Sequence, residues 1–137
     1  MAGLTLTPAT VIRRGATWTM AVNRYQNLLG KTMLVPERPC SAVVDIWPSE
    51  WADLHAQLQV LVPALQRCFA LNQMNLAFLM NQDAQVHLHV IPRYQSTRTW
   101  HGDTFEDLHW GSSFGSEQHL LALDTLAELA RQIKHEL

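Results

Sequence analysis

Gln85, His87 and His89 stand two apart in the stretch Gln85-Val86-His87-Leu88-His89-Val90-Ile91-Pro92-Arg93, where valine, leucine and isoleucine fill the positions between and after them. Alternation of period two is strand patterning, and side chains two apart on a strand share a face at a spacing of about 6.5 Å. Val86, Leu88 and Val90 are therefore assigned to a core. Gln85, His87 and His89 are assigned to the opposite face, with Arg93 in phase. Four readings fit this polar row. The first is a solvated strand face with two incidental histidines. The second is a metal site, because His-x-His on a strand brings two imidazoles to one point; a third ligand would come from His101, Asp103 or His109. The third is phosphoryl or nucleotidyl transfer with histidine as nucleophile. A neutral imidazole is nucleophilic near neutral pH, and donors beside it take up charge on phosphate oxygens. The fourth is a module that binds a nucleotide with the same residues and does not turn it over.

The flanking segments must position this row. Ala16 to Val22 alternates, with Trp18, Met20 and Val22 on one side, and reads as a strand ended by Asn23. Asn23-Arg24-Tyr25-Gln26-Asn27 is a polar turn, and Gly30 opens a second strand, Lys31 to Val35, stopped by Pro36. Pro36 to Pro39 is a stiff loop, and Ala42 to Ile46 reads as a short strand. Ser49 reads as a helix N-cap, with Glu50 and Asp53 suited to the positive end of the dipole. Leu54, Leu58, Leu61, Leu65 and Cys68 then recur at helical spacing, and Pro63 within them predicts a kinked or divided helix.

Asn75 to Met80 is a continuous apolar run, best read as a central strand, and Asn81 to Ala84 turns it into an antiparallel hairpin with the polar row. Arg98 to Gly115 has no clear period. Ser116-Glu117 reads as the cap of a last amphipathic helix, residues 116–136, carrying Leu120, Leu123, Leu126, Ala127, Ala130 and Ile133. The order predicts an α+β fold: an antiparallel sheet of about five strands, covered on one side by a long helix and a C-terminal helix.

At 137 residues the chain fits a single domain, 1–137. A formal charge of −2 gives no basic footprint, which argues against a nucleic-acid polymer as partner but leaves room for a small-molecule nucleotide. Cys40 and Cys68 sit in neither a disulfide nor a zinc spacing and suit a reducing compartment, so a cytoplasmic location is expected. Met1 to Thr10 lacks the basic and apolar regions of a secretory leader. No apolar run approaches the ~20 residues of a membrane span, so no membrane partner is expected.

Several other residues attract attention. His55 reads as a surface histidine. His119 falls near the start of the last helix, where the dipole disfavours its charged form. Trp47, Trp51, Trp100 and Trp110 suit packing or interfaces, and for Trp110 a reach into the polar site is a second option. Arg93 suits either a structural ion pair or a phosphate contact.

The stretch Gln85-Val86-His87-Leu88-His89-Val90-Ile91 resembles the histidine-triad motif, His-φ-His-φ-His-φ-φ, with glutamine for the first histidine. Val22-Asn23-Arg24 followed by Gly30-Lys31-Thr32-Met33-Leu34-Val35-Pro36 is similar to the family's strand–turn–strand, in which a histidine follows the glycine. The Trp47-Pro48-Ser49-Glu50 helix start, the Pro92-Arg93-Tyr94 ending and Asp107-Leu108-His109-Trp110-Gly111 agree as well. The last of these, with Gln-φ-His-φ-His, resembles a group of bacterial variants. The likeness spans residues 18–110. It implies a nucleotide-binding α+β domain, usually a homodimer, whose enzymes cleave or transfer at the α-phosphate of dinucleoside polyphosphates or nucleoside phosphoramidates. It implies His87 as nucleophile, His89 as a hydrogen-bonder at the phosphate, Asn23 at the ribose and Asn81 near the phosphates. Gln85 and Lys31 stand where the family has histidines and are expected to surround the phosphate. No metal or other cofactor is implied. The alternative is a nucleotide-sensing protein with weak activity or none.

Overall fold

The computed structural model describes residues 6–137, so the reading of the N-terminus as no leader lies partly outside it. Five strands form one antiparallel sheet: β1 (Val11–Arg14), β2 (Trp18–Val22), β3 (Thr32–Pro36), β4 (Gln73–Phe78) and β5 (Leu88–Arg93). Their order across the sheet is β1-β2-β3-β5-β4. Helix α1 (Pro48–Phe69) connects β3 to β4, and helix α2 (Leu123–His135) closes the chain. This is the α+β architecture the sequence predicts.

The alternation in β2 is written by burial on the helix side. Trp18, Met20 and Val22 join Leu34, Val90, Leu61, Leu65 and Leu126 in the main core. Ala21, Met33 and Val35, which point the other way, form a smaller cluster with Leu6. Sheet residues on that second face are thus partly covered, and His87 and His89 lie there too.

Helix α1 begins two residues earlier than a Ser49 cap requires. Trp47 is the N-cap, Pro48 occupies the first turn, where its missing N–H matters least, and Glu50 Oε1 accepts from the Trp47 N–H at 2.8 Å. Nor does Pro63 divide the helix, which runs unbroken for 22 residues. Pro63 and Gln59, whose carbonyl loses its N–H partner, both face solvent, so water satisfies what the ring removes. Ala42 to Ile46 is not a strand; Val43–Asp45 is a single 3-10 turn.

Two departures bear on the site. The apolar run from Asn75 to Met80 is an edge strand, since β4 pairs with β5 alone, and Leu76 and Leu79 are 50% and 41% exposed. The last helix starts at Leu123, seven residues later than predicted, leaving His119 outside it. The segment without clear period holds a hairpin of β6 (Arg98–Trp100) and β7 (Asp103–Phe105), turned by His101 and Gly102 at φ 50° and 75°. After it, residues 106–122 form a strap that is turned at 108–111 and then runs without helix or strand to α2, apart from a single bridge at Leu120.

Candidate functional site

A cavity of about 510 Å³ opens on the sheet face away from the helices. Strand pairing sets its floor. His89 lies opposite Met33 of β3 and Ala77 of β4, so its side chain projects on the face of Ala21 and Met33. His87 immediately precedes β5 and lines the same cavity. Asn23, at the end of β2, Lys31, at the start of β3, and Asn81, in the β4–β5 loop, complete the set of sequence candidates that meet there.

Gln85 does not join them with its side chain. Its Oε1 accepts from the buried Cys40 N–H at 3.2 Å, and the adjacent Val86 N–H donates to the Cys40 carbonyl at 2.7 Å. The expected three-residue row is therefore two histidines. Residue 85 lies before the sheet begins at Leu88, where the period of two no longer governs, and an interior N–H needs an acceptor. What Gln85 offers the site is its backbone carbonyl, 2.8 Å from His87 Nδ1. A carbonyl only accepts, so Nδ1 carries the proton, and in the neutral ring the lone pair is on Nε2. Nε2 makes no hydrogen bond with any described residue.

The His89 ring meets His87 edge to face, with centroids 4.7 Å apart and planes at 73°. Burial first, then the neighbouring His87 ring and the Lys31 ammonium, lowers His89 to about 4, so it is a neutral ring at physiological pH. Burial likewise lowers the Lys31 ammonium to about 8, while Glu117 acts in the opposite sense. Lys31 Nζ donates to Asn27 Oδ1 at 2.6 Å. The loop carrying Asn23 and Lys31 is braced from inside by Gln26, which is fully buried. Its Nε2 donates to the Asn23 and Lys31 carbonyls at 2.8 Å each, and its Oε1 accepts from the Gly30 N–H at 2.9 Å. Gly30 adopts φ 87°, and a Cβ there would lie 2.9 Å from the Phe69 ring.

The strap forms the remaining wall through Phe114, Gly115, Ser116, Glu117 and Gln118. Arg93 anchors its near end. The guanidinium donates to both Asp107 oxygens, at 2.7 and 3.1 Å, to Asn75 Oδ1 at 2.8 Å, and to the Ser112 and His109 carbonyls at 2.9 and 2.8 Å. Arg93 is therefore a structural ion pair, with no donor left for a phosphate. Burial would raise the Asp107 carboxyl, but the bonds from Arg93, Tyr94 N–H and His109 N–H outweigh it and hold the pKa low.

The far end is tied by the Gln26 N–H to the His119 carbonyl at 2.8 Å and by a bridge between Tyr25 and Leu120. His119 stacks on Phe105 and pairs with Asp103 at 2.6 Å. Asn27 and Glu117 are site residues that the sequence argument missed. Asn27 was legible only as part of a polar turn, and Glu117 only as a helix cap.

The three residues offered as a third metal ligand are engaged elsewhere. Asp103 holds His119, His109 meets Glu117 at 2.5 Å, and His101 stacks on Trp100. Among the described residues no group of three His, Cys, Asp or Glu side chains is placed to hold a metal ion. Trp110 is 40% exposed and does not line the cavity.

No family model matches the sequence, and no curated protein does. Solved structures match over nearly the whole chain. A histidine-triad protein from Sinorhizobium meliloti superposes with a TM-score of 0.72 at 21% identity, covering 100% of this chain and 99% of that one. One from Bradyrhizobium japonicum gives 0.70 at 20% identity, with 92% and 88% covered. The diadenosine triphosphate hydrolase of Plasmodium falciparum gives 0.72 at 16% identity, with 95% and 77% covered. The chain has the histidine-triad fold. Of its seven histidines, His87 and His89 line the cavity on the second face of that fold's sheet.

Proposed function

We propose that this chain is a histidine-triad nucleotide hydrolase or transferase that acts at the α-phosphate of a nucleotide. Its substrates belong to the dinucleoside polyphosphate or nucleoside phosphoramidate class. The observation that carries the reading is the bond from His87 Nδ1–H to the Gln85 carbonyl, which directs a free Nε2 lone pair in a nucleotide-sized cavity. Nε2 forms a bond to the α-phosphorus as the bond from phosphorus to the leaving group breaks. The Gln85 carbonyl stabilises the positive charge that the ring acquires, since it already holds the Nδ1 proton. Water then attacks phosphorus, the P–N bond breaks, and a nucleoside monophosphate leaves with His87 restored. Neutral His89, Lys31 and Asn81 bind phosphate oxygens, and Asn23 holds the ribose. Gln85 acts from behind His87 through its backbone. No cofactor enters these steps.

Leu76 and Leu79, on or beside the unpaired edge strand β4, support a homodimer in which two copies meet along that edge. A cytoplasmic setting suits the free Cys40 and Cys68, and among the described residues no helix is long and apolar enough to cross a membrane.

The test is turnover of a panel of dinucleoside polyphosphates and nucleoside phosphoramidates, with mass spectrometry of the quenched protein for a nucleotidyl adduct on His87. Wild type is expected to turn over at least one substrate and His87→Ala none. Turnover that survives the substitution removes His87 as nucleophile. Tight nucleotide binding without turnover by wild type selects the sensing alternative.

A further inference from the structure

We propose that Glu117 on the strap sets the charge selectivity of this cavity, favouring ligands with a single phosphate over those with a polyphosphate chain. This rests on the nucleotide reading above and narrows it to phosphoramidates and other monophosphate derivatives whose leaving group adds no negative charge.

The side chains with formal charge on the cavity wall are Arg24 and Lys31 against Asp83 and Glu117, two of each sign. Each of the two histidine rings adds a dipole, and His89 adds no charge at neutral pH. A dinucleoside triphosphate brings several negative charges to this balanced wall, whereas a phosphoramidate brings one. Selectivity therefore depends on whichever acid lies nearest the cation that receives the phosphate. Asp83 is turned to its own loop, with Oδ1 on the Gln85 N–H at 2.9 Å. Glu117 is coupled to Lys31 instead. Asn27 joins them, taking the ammonium on Oδ1 at 2.6 Å and presenting Nδ2 to Glu117 Oε2 at 3.4 Å and to the Gly115 carbonyl at 3.2 Å.

The placement of Glu117 is built into the strap. Its carboxylate folds back over Gly115, where a Cβ would stand 2.3 Å from Oε2 and 2.5 Å from Oε1. A methyl group there would push the carboxylate away. His109 closes the fold from the other side at 2.5 Å. An anionic group fixed beside the phosphate-binding cation weakens each additional phosphate, and negative discrimination of this kind is how a site separates ligands that share a nucleoside.

Calorimetry on the full chain with nucleoside mono- and triphosphates of the adenine and guanine series tests this without requiring turnover. Wild type is expected to bind the monophosphate at least as tightly as the triphosphate of its preferred base. Glu117→Gln is expected to shift the triphosphate-to-monophosphate affinity ratio about fivefold toward the triphosphate, the scale of one partly exposed charge, and less at high salt. Gly115→Ala keeps the charge but displaces it, and should shift the ratio in the same direction. A ratio unchanged in both variants overturns the proposal, as does a wild type that prefers the triphosphate. Failure of wild type to bind any of these nucleotides would instead overturn the nucleotide reading on which the proposal stands.

Discussion

His87 Nδ1 lies 2.8 Å from the carbonyl oxygen of Gln85, so the histidine is oriented by the main chain of a residue whose side chain faces elsewhere. Substituting that side chain therefore separates structure from chemistry. Gln85→Ala leaves the carbonyl in place and strips the buried Cys40 N–H of its acceptor. It should destabilise the fold by about 1–2 kcal/mol and change kcat less than about tenfold. With His87 as the proposed nucleophile, His87→Ala should lower kcat by at least about 1,000-fold, far more than Gln85→Ala does. Urea unfolding and steady-state kinetics on the two variants check both halves. A Gln85→Ala enzyme as inactive as His87→Ala would show that the side chain carries the role.

Lys31 supplies the pH dependence. Its ammonium is lowered to about 8, so it is mostly charged below that pH and mostly neutral above it. A phosphate group bound beside it favours the charged form and takes up a proton above pH 8. Nucleotide affinity is therefore expected to hold steady from pH 6.5 to 7.5 and to fall above pH 8, by at most about tenfold per unit. Lys31→Met should bind more weakly at pH 7 and lose the decline. Titration calorimetry across this range reads it directly, and an identical slope in the variant would exclude Lys31 as the titrating group.

The ion pair between Arg93 and Asp107 ties the strap to the sheet, and both side chains are under 5% exposed. Asp107→Asn leaves a buried guanidinium without its counter-charge, which should reduce stability by about 3–5 kcal/mol. Because the same guanidinium holds the Ser112 and His109 carbonyls, the strap should loosen as well. Thermal unfolding, with hydrogen exchange over residues 106–122, measures both. Lower stability with full protection of the strap would show that its position does not depend on this pair.

Much of the scaffold was legible because burial leaves a period in the sequence. Trp18, Met20 and Val22 share the core side of β2, and Leu54, Leu61 and Leu65 line one face of α1. The two site histidines were legible for a related reason, since an apolar strand has little use for them. What was not legible depended on contacts distant along the chain. Gln85 turned away because Cys40, 45 residues earlier, presents a buried N–H. The strap has no period of its own and is held at its ends by Arg93 and by Gln26. Ser116 and Glu117 look like a helix cap, yet here they line a cavity before α2 begins. Strand β4 reads as central because its apolar residues are continuous, and that continuity reflects an exposed edge rather than a covered strand.

That edge yields the final prediction. Beside Leu76 and Leu79, Phe78 meets Trp51 of α1 edge to face at 6.0 Å, and Trp51 is itself 40% exposed. A long unpaired edge flanked by exposed apolar side chains is a template for pairing with another strand, and a two-fold axis lets one copy serve the other. Wild type should therefore elute with a light-scattering mass near twice 15.6 kDa. Lysine on an edge strand is a device that blocks such pairing. Leu76→Lys should give the mass of one chain, and because Leu76 is half exposed the fold itself should persist, as circular dichroism would show. Neither His87 nor Lys31 lies on β4, so a folded monomer should still bind nucleotide if the cavity of one chain suffices. A variant that remains dimeric would move the interface away from β4.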